Sequence, residues 1–273
     1  MDRFNLLESM HFCSRLSDRS IGVKVIMMNS NPFACPQFLP VLSIADIAVE
    51  PALIVAPHPD DECLGCGGAI ALLRSHQYQV QILVMSDGTK SHPNSINYPA
   101  PRLKQLREAE TLAAMNKLDV AKSCITFMQM PDGAIPNAES AGFETSVSEC
   151  QHYLISVNPK IIFVPYRYDP HPDHRATWEI LQTALQRSGL SPRWLEYPIW
   201  DWDPTQRQNH TSSGIKTWCL DISEVVELKQ QSIAFYRSQT SSLIDDDPGG
   251  FRLTSEMLNK LCQPLEIYFE MEQ

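Results

Sequence analysis

Residues 53–73, with the sequence LIVAPHPDDECLGCGGAIALL, decide the fold of this chain. A short apolar run at 53–56 ends abruptly at a polar segment, PHPDDE at 57–62, and a stretch of helical period follows at 67–77. A short apolar run bounded by turn residues predicts a buried strand, and the periodic stretch predicts a helix. The polar segment is therefore expected at the carboxyl end of a buried strand.

The same alternation of apolar run and helical stretch continues along the chain. Further strands are predicted at VQILVM (80–85), CITFMQM (124–130) and KIIFVPY (160–166). Further helices are predicted at 101–117, 142–157 and 175–188. Strands that alternate with helices predict an α/β fold, a Rossmann-like sandwich in which helices flank a mainly parallel central sheet.

The two ends of the chain extend this pattern unequally. Strand-like pieces at 194–200 and 216–222 are followed by a helical stretch at about 223–237. We therefore predict that residues 51–273 form a single domain. Residues 1–50 hold a cluster of prolines and show weak periodicity, which predicts an irregular N-terminal extension.

The composition excludes several classes of protein. The 273 residues include 32 acidic and 22 basic side chains, a formal net charge of −10, with no Lys/Arg cluster to follow a phosphate backbone. Nucleic acid is therefore not an expected partner. No apolar run approaches the roughly 20 residues of a membrane-spanning helix, and the N-terminus lacks the apolar core of a signal peptide. These absences predict a cytoplasmic protein without a transmembrane segment, and the oligomeric state stays open, with a homo-oligomer among the alternatives.

Four polar segments follow the four predicted strands. They are PHPDDE at 57–62, SDGTKSH at 86–92, PDG at 131–133 and RYDPHPDHR at 167–175. Ligands of open α/β sheets bind beyond the carboxyl ends of the strands. The four segments are therefore expected to meet at one rim of the sheet and to form the functional site.

Three residues of these segments suit a catalytic metal ion. His58 and Asp61 follow one strand, and His174 follows another. Two imidazoles and a carboxylate form a suitable ligand set for one zinc ion per chain, with a position left for water, although iron or cobalt could occupy the same ligands. The alternative is that these are solvated turn residues, since His, Pro and Asp are common in turns. Two such motifs at two strand ends favour the metal site.

The neighbours of these three residues suggest catalytic roles. Asp60 is a candidate general base that takes a proton from water, and a turn-capping aspartate is the alternative. His171 is a candidate for polarising the substrate carbonyl or protonating the leaving amine, with Asp173 orienting its ring. A competing interpretation makes His171 a further metal ligand.

The motifs resemble those of a known family. PHPDDECLGCGG at 57–68 and HPDH at 171–174 resemble the paired signatures of the PIG-L/LmbE-like deacetylases. The resemblance extends through SDG at 86–88, LREAE at 106–110, PDG at 131–133 and AFYRSQ at 234–239. It implies an LmbE-like fold, a zinc ion and the removal of acetyl groups from N-acetylglucosamine-type substrates. It also implies that His58, Asp61 and His174 are the ligands, Asp60 the base and His171 the electrophilic histidine.

The resemblance further suggests substrate contacts. Arg107 and Asp132 stand where members of the family hold sugar hydroxyls. Some members place a mobile tyrosine two residues before the first histidine of HPDH; Asp169 stands there in this chain, and Tyr168 is one residue further back. Tyr168 is therefore included as a candidate. For Arg107, a helix-surface ion pair with Glu110 is the alternative.

Other functions remain open at this point. The same activation of water would serve a metal-dependent hydrolase of another acyl or ester substrate, such as an esterase or phosphoesterase. A non-catalytic metal- or sugar-binding protein is the second alternative, although it needs neither Asp60 nor His171. Trp200 and Trp202 are expected to pack in the core, with a wall for a sugar face as the alternative. Residues 245–250, DDDPGG, are expected to form an exposed turn.

Overall fold

The computed structural model describes residues 38–200 and 214–271. The strands of this part of the chain are β1 (Val41–Leu42), β2 (Ala52–Ala56), β3 (Val80–Ser86), β4 (Ile125–Met130), β5 (Ile161–Pro165), β6 (Arg193–Tyr197), β7 (Ile215–Asp221) and β8 (Leu265–Met271). The helices are α1 (Ile44–Ile47), α2 (Asp61–Ser75), α3 (Ala100–Lys117), α4 (Phe143–Val157), α5 (Pro172–Ser188), α6 (Val226–Ile233), α7 (Arg237–Thr240) and α8 (Ser255–Leu261). Trp202 lies outside the described residues.

The strands form one sheet in the order β1-β7-β8-β6-β5-β2-β3-β4. Its pairs are parallel except those of β8, which runs antiparallel between β7 and β6. The predicted α/β fold with a mainly parallel central sheet is confirmed, as are the strands predicted at the four apolar runs. β8 was not predicted, although its sequence, LEIYFEM, holds the β-branched and aromatic residues typical of a strand.

The sheet is covered on both faces because its central strands are apolar on both sides. Ile54 of β2 and Phe163 of β5 belong to a core cluster shared with α2, whereas Leu53 and Ile162 belong to a second cluster shared with α4 and α5. All four side chains are fully buried. Continuous apolar runs, rather than alternating ones, are what a parallel sheet buried on both faces requires.

The order of the strands fixes where a ligand can bind. The chain adds β3 and β4 on one side of β2 and then crosses to place β5 on the other side. β2 and β5 are parallel neighbours, so the segments that follow them emerge side by side at one edge of the sheet. This is the switch point at which open α/β sheets bind ligands.

Helix α2 begins six residues earlier than the predicted start at residue 67 and reaches into the polar segment. Its first turn contains Asp61, and its Gly65 lies against the ring of Tyr197 on β6, whose hydroxyl donates to the carbonyl oxygen of Val55. A Cβ on Gly65 would come within 2.6 Å of Cε2 of that ring. The close approach of α2 to the sheet therefore depends on this glycine.

We predict that Gly65→Ala destabilises the protein. Alanine would favour the helix by about 1 kcal/mol, but overpacking against a buried ring held by a hydrogen bond costs up to about 3 kcal/mol, so the free energy of unfolding should fall by up to about 2 kcal/mol. Urea denaturation measures this change. The control is Gly142→Ala, where a Cβ would lie 3.4 Å from its nearest neighbour at an extended φ of 175°. An equal loss in both variants would contradict the packing argument.

The predicted N-terminal extension of residues 1–50 meets the described chain only from residue 38 onward. Val41 and Leu42 pair in parallel with Cys219 and Leu220 of β7, so this short piece adds an edge strand to the sheet. Whether the preceding residues form an irregular extension stays a prediction. In the ranges 38–200 and 214–271, no helix combines the length and apolar character needed to cross a membrane.

Candidate active site

The polar segments that follow β2 to β5 meet around a cavity of about 410 Å³, at the edge of the sheet where the sequence predicts it. Six of the nine predicted site residues line this cavity: His58, Asp60, Asp61, Arg107, Asp132 and His171. Asp173 and His174 are buried just behind it, in contact with lining residues. Tyr168 is not among the lining residues and packs edge-on against Tyr166, with ring centroids 5.6 Å apart.

Asp61 joins the two imidazoles predicted to bind metal. Its Oδ2 lies 3.1 Å from Nδ1 of His58 and 3.2 Å from Nε2 of His174. Ligand atoms that each lie about 2.0–2.1 Å from one tetrahedral zinc ion are separated by roughly 3.3 Å. The two separations from Asp61 are therefore compatible with ligands of one metal ion.

The second nitrogen of each imidazole lies against another buried carboxylate. Nε2 of His58 lies 3.0 Å from Oδ2 of Asp173 and 3.3 Å from Oδ1 of Asp132. Nδ1 of His174 lies 3.3 Å from Oδ2 of Asp169. Metal-binding histidines characteristically present one nitrogen to the ion and the other to a carboxylate. Both rings follow this pattern, with Asp61 on the inner side.

Asp169 is a site residue that the sequence analysis did not assign. It is fully buried, and besides contacting His174 its carboxylate accepts hydrogen bonds from the backbone amides of His171, Ile199 and Trp200. Its position at the end of β5, five residues before a histidine, was the only available signal. Asp169 fixes the orientation of the His174 ring and also joins it to the segment after β6.

The role predicted for the Asp173 carboxylate is wrong. It was expected to orient His171, but it contacts His58 instead, and it also accepts hydrogen bonds from the amides of Gly133 and Ile135. The contact with His171 is made by the backbone amide of Asp173, which donates to Nδ1 of that ring over 3.2 Å. The amides of Gly133 and Ile135 therefore help to hold the Asp173 carboxylate beside His58.

His171 stands beside the other two imidazoles. Its ring centroid lies 4.8 Å from that of His58 and 5.1 Å from that of His174. Burial, together with the neighbouring His174 and His58, lowers the pKa of His171 to about 4, so the ring is neutral at pH 7. Since Nδ1 accepts a hydrogen bond from a backbone amide, the proton of the neutral ring lies on Nε2.

Asp60 is directed away from both imidazoles. Its Oδ2 lies 3.2 Å from Nη2 of Arg107, which also donates to the carbonyl oxygen of Pro59. Burial raises the pKa of Asp60 to about 8, against the opposing effect of Arg107. Its backbone has a φ of 121°, a region that few residues other than glycine adopt, with Asp and Asn among the more tolerant.

Arg107 is not the helix-surface residue of the alternative interpretation. Its side chain is buried and its ion pair is with Asp60, whereas Glu110 accepts hydrogen bonds from the amide and hydroxyl of Ser238. Arg107 and Asp132 both line the cavity. Contact of these two side chains with substrate stays a prediction.

The carboxylates around His58 and His174 favour a positive charge at the site. Burial alone would lower the pKa of His58, but the carboxylates around it hold that pKa well above its ordinary value. Likewise, the Asp169 and Asp61 carboxylates overcome burial and raise the pKa of His174 to about 9. Among the described residues, two groups of at least three His, Cys, Asp or Glu side chains have ligand atoms within 4.8 Å of one another: His58, His171 and His174, and His58, Asp132 and Asp173. The residues present therefore fit a bound metal ion, and the first group keeps His171 open as a ligand.

A mainly parallel sheet whose switch point gathers imidazoles and buried carboxylates defines an α/β protein with a candidate metal-binding site. Comparison with known proteins narrows this class. The family model PIG-L, described as GlcNAc-PI de-N-acetylase, matches residues 53–185. Over this segment, just under half of the chain, the sequence is similar to the PIG-L family of de-N-acetylases.

Relatives in two organisms are similar over most of the domain. The chain is 27% identical over 200 residues to a probable N-acetyl-alpha-D-glucosaminyl L-malate deacetylase 2 of Bacillus subtilis. The matched region covers 71% of this chain and 86% of the relative. It is 26% identical over 197 residues to diacetylchitobiose deacetylase of Thermococcus kodakarensis, covering 70% of each. In fold it resembles N,N'-diacetylchitobiose deacetylase of Pyrococcus horikoshii, with a TM-score of 0.53, 20% identity, and coverage of 95% of this chain and 84% of that one.

Proposed function

We propose that this protein removes the N-acetyl group from a small N-acetylglucosamine-type sugar or glycoconjugate and releases acetate. The observation that carries the proposal is the position of Asp60, which lines the cavity beside the imidazoles but pairs with Arg107 rather than with either of them. A site for metal binding alone needs no such additional carboxylate. The activities of the Bacillus and Thermococcus relatives support an acetylated amino sugar as the substrate.

In this proposal His58, Asp61 and His174 hold one divalent metal ion, zinc in the first instance. When bound, the ion supplies Lewis-acid activation of a water molecule and of the amide carbonyl, and its positive charge favours the ionised form of Asp60. Asp173 and Asp169 orient the two imidazoles, because their carboxylates lie 3.0 Å from Nε2 of His58 and 3.3 Å from Nδ1 of His174.

Asp60 and His171 perform the proton chemistry. The Asp60 carboxylate accepts a proton from the attacking water and then delivers it to the leaving nitrogen, so that water and amide become acetate and amine. The Nε2–H of neutral His171 donates to the carbonyl oxygen, where negative charge develops as water adds. Arg107 holds the Asp60 carboxylate in place through its Nη2.

We predict that Asp169→Asn weakens metal binding without removing a ligand. An amide would replace the acceptor that holds His174, and loss of such a partner lowers metal affinity by about 10–100-fold. Competition with a chromogenic chelator measures the dissociation constant for zinc. Asp221→Asn is the control, since that carboxylate is exposed and bonds only to Ser223 among the hydrogen bonds of the described chain. Equal zinc affinity in both variants would contradict the role of Asp169.

Acetate release from a panel of N-acetylglucosaminides tests the function. Purified protein is assayed as isolated, after removal of metal by a chelator, and after zinc is returned, with aryl esters and phosphate esters as competing substrates. The proposal predicts acetate release that the chelator abolishes and zinc restores. Faster hydrolysis of the esters than of every acetylated sugar would instead assign the site to another acyl or ester substrate.

A further inference from the structure

The lining of the cavity combines polar and apolar side chains. His58, His171, Asp60 and Asp132 contribute polar groups to its lining. Five of its apolar side chains come from the later part of the chain, and we call them the apolar wall: Trp200, Phe251, Leu253, Met257 and Leu261. All five lie outside residues 53–185, the segment shared with the family model. The wall is therefore a property of this chain's own later segments rather than of the family motifs.

The wall is built as part of the core and fixed to other residues of the cavity lining. Leu253 and Met257 belong to the core cluster around α2, and Trp200 and Phe251 pack against that cluster. The rings of Trp200 and Phe251 contact each other edge to face, with centroids 5.6 Å apart. The backbone amide of Phe251 donates to the carbonyl oxygen of Ser91, and that of Leu253 to Gln239, another residue lining the cavity. Trp200 is tied through its amide to Asp169, which also holds His174.

Two side chains beyond the wall hold these segments together. Asp247, expected to lie in an exposed turn, is in fact buried and accepts from the amide of Asn94. Asp246 accepts from the hydroxyl of Ser95. The segment that carries Phe251 is thus fastened to the loop that follows β3, which contributes Lys90 to the cavity. A wall fixed on both sides is preorganised for a ligand.

We infer that the wall binds an apolar aglycone, an aryl or alkyl group attached to the acetylated amino sugar, in preference to an anionic one. The inference rests on the proposed function, because the polar groups of the lining must hold the acetamido group. Half-buried aromatic and aliphatic side chains stabilise a ligand by removing its apolar surface from water.

Two cations, Lys90 and Arg107, are among the described residues that line the cavity, and neither belongs to the wall. Arg107 is paired with Asp60, and Lys90 lies beside the PDG segment, where its amide donates to Asp132. Among the described residues, the wall itself contributes no cation for a carboxylate such as that of malate. An anionic aglycone would lose its hydration there without a compensating charge.

The test uses a series of N-acetylglucosaminides that differ only in the aglycone: methyl, phenyl, octyl and malyl. Dissociation constants are measured by calorimetry and kcat/KM by acetate release, on the same zinc-loaded full-length protein. We expect the phenyl and octyl glycosides to bind at least about tenfold more tightly than the methyl glycoside, with a similar ratio in kcat/KM. The malyl glycoside should gain nothing over methyl.

Variants assign the preference to the wall. Trp200→Ala and Leu261→Gln should each reduce the phenyl-to-methyl ratio of kcat/KM at least about threefold. Leu261 is half-buried at the end of α8, so its substitution disturbs the core little. Ile155→Ala, which truncates an exposed side chain on α4, should leave the ratio unchanged. Either variant of the wall retaining the full ratio would assign the preference to other residues and overturn the inference.

The two measurements separate the inference from the function. Acetate release with equal Kd and kcat/KM across the series, or with the malyl glycoside preferred, would overturn the apolar aglycone and leave the deacetylase intact. Preferential binding of the phenyl and octyl glycosides without acetate release would overturn the proposed reaction and leave the wall's preference standing. Neither binding nor turnover of any glycoside would overturn both.

Discussion

The Asp60→Asn variant is expected to lose kcat for acetate release by about 10²–10⁴-fold while keeping its fold and its metal. The amide of asparagine cannot accept a proton from water, yet it matches the carboxylate in size and can still accept a hydrogen bond from Arg107. The substitution therefore removes the proposed base and little else.

The measurement compares kcat, zinc content and thermal unfolding of the variant with those of the parent. Asp119→Asn is the matched control, since the Asp119 side chain is 82% exposed and pairs with Arg74 at the surface. Turnover close to that of the parent in Asp60→Asn, with zinc bound, would assign the proton transfer to another group. Loss of zinc together with turnover would instead make Asp60 a ligand.

The His174→Ala variant is expected to bind well under one zinc ion per chain, and to lose acetate release with it. His174 is fully buried, and its Nε2 is one of the three atoms around the proposed metal position. Its removal also leaves Asp61 and Asp169 without the imidazole between them. Removing one partner of a buried charged pair costs about 3–5 kcal/mol, so the free energy of unfolding should fall as well.

Elemental analysis of folded protein, checked by circular dichroism, measures the zinc content. His58→Ala provides a second variant that disturbs packing less, because the His58 side chain is 15% exposed rather than fully buried. His152→Ala is the control, since that exposed ring contacts the carbonyl oxygen of Ser148 within its own helix. One zinc ion per chain in both ligand variants would remove these histidines from the ligand set.

The sequence was sufficient to predict the position of the site because parallel strands end at a common edge. The motifs at 57–62 and 167–175 each follow an apolar run, and β2 and β5 turn out to be neighbours in the sheet. The inner contacts of Asp61 with His58 and His174 agree with the ligand set predicted from the residue types. Which residues act as ligands remains a prediction until metal is measured.

The carboxylates that lie against the two imidazoles, Asp173 and Asp169, could not be predicted from the sequence, because these contacts join distant segments. Asp173 faces His58 since the amides of Gly133 and Ile135, about 40 positions earlier, receive its carboxylate. Asp169 reaches His174 across the start of α5, and nothing in the local pattern marks that approach.

The apolar wall shows a different limit of sequence interpretation. Trp200 was expected to pack in the core, and it does pack against the core cluster, but its other side faces the cavity. An apolar side chain that serves both purposes looks the same in the sequence as one that serves only the first. The difference lies in whether the tertiary arrangement leaves space beside it, which only the structure defines.

Titration of metal-free protein with zinc, with acetate release from one N-acetylglucosaminide followed at each addition, tests the central claim most directly. We expect no acetate release without metal and a rate that rises in proportion to bound zinc up to one ion per chain. Full acetate release by protein shown to be free of metal would contradict that claim.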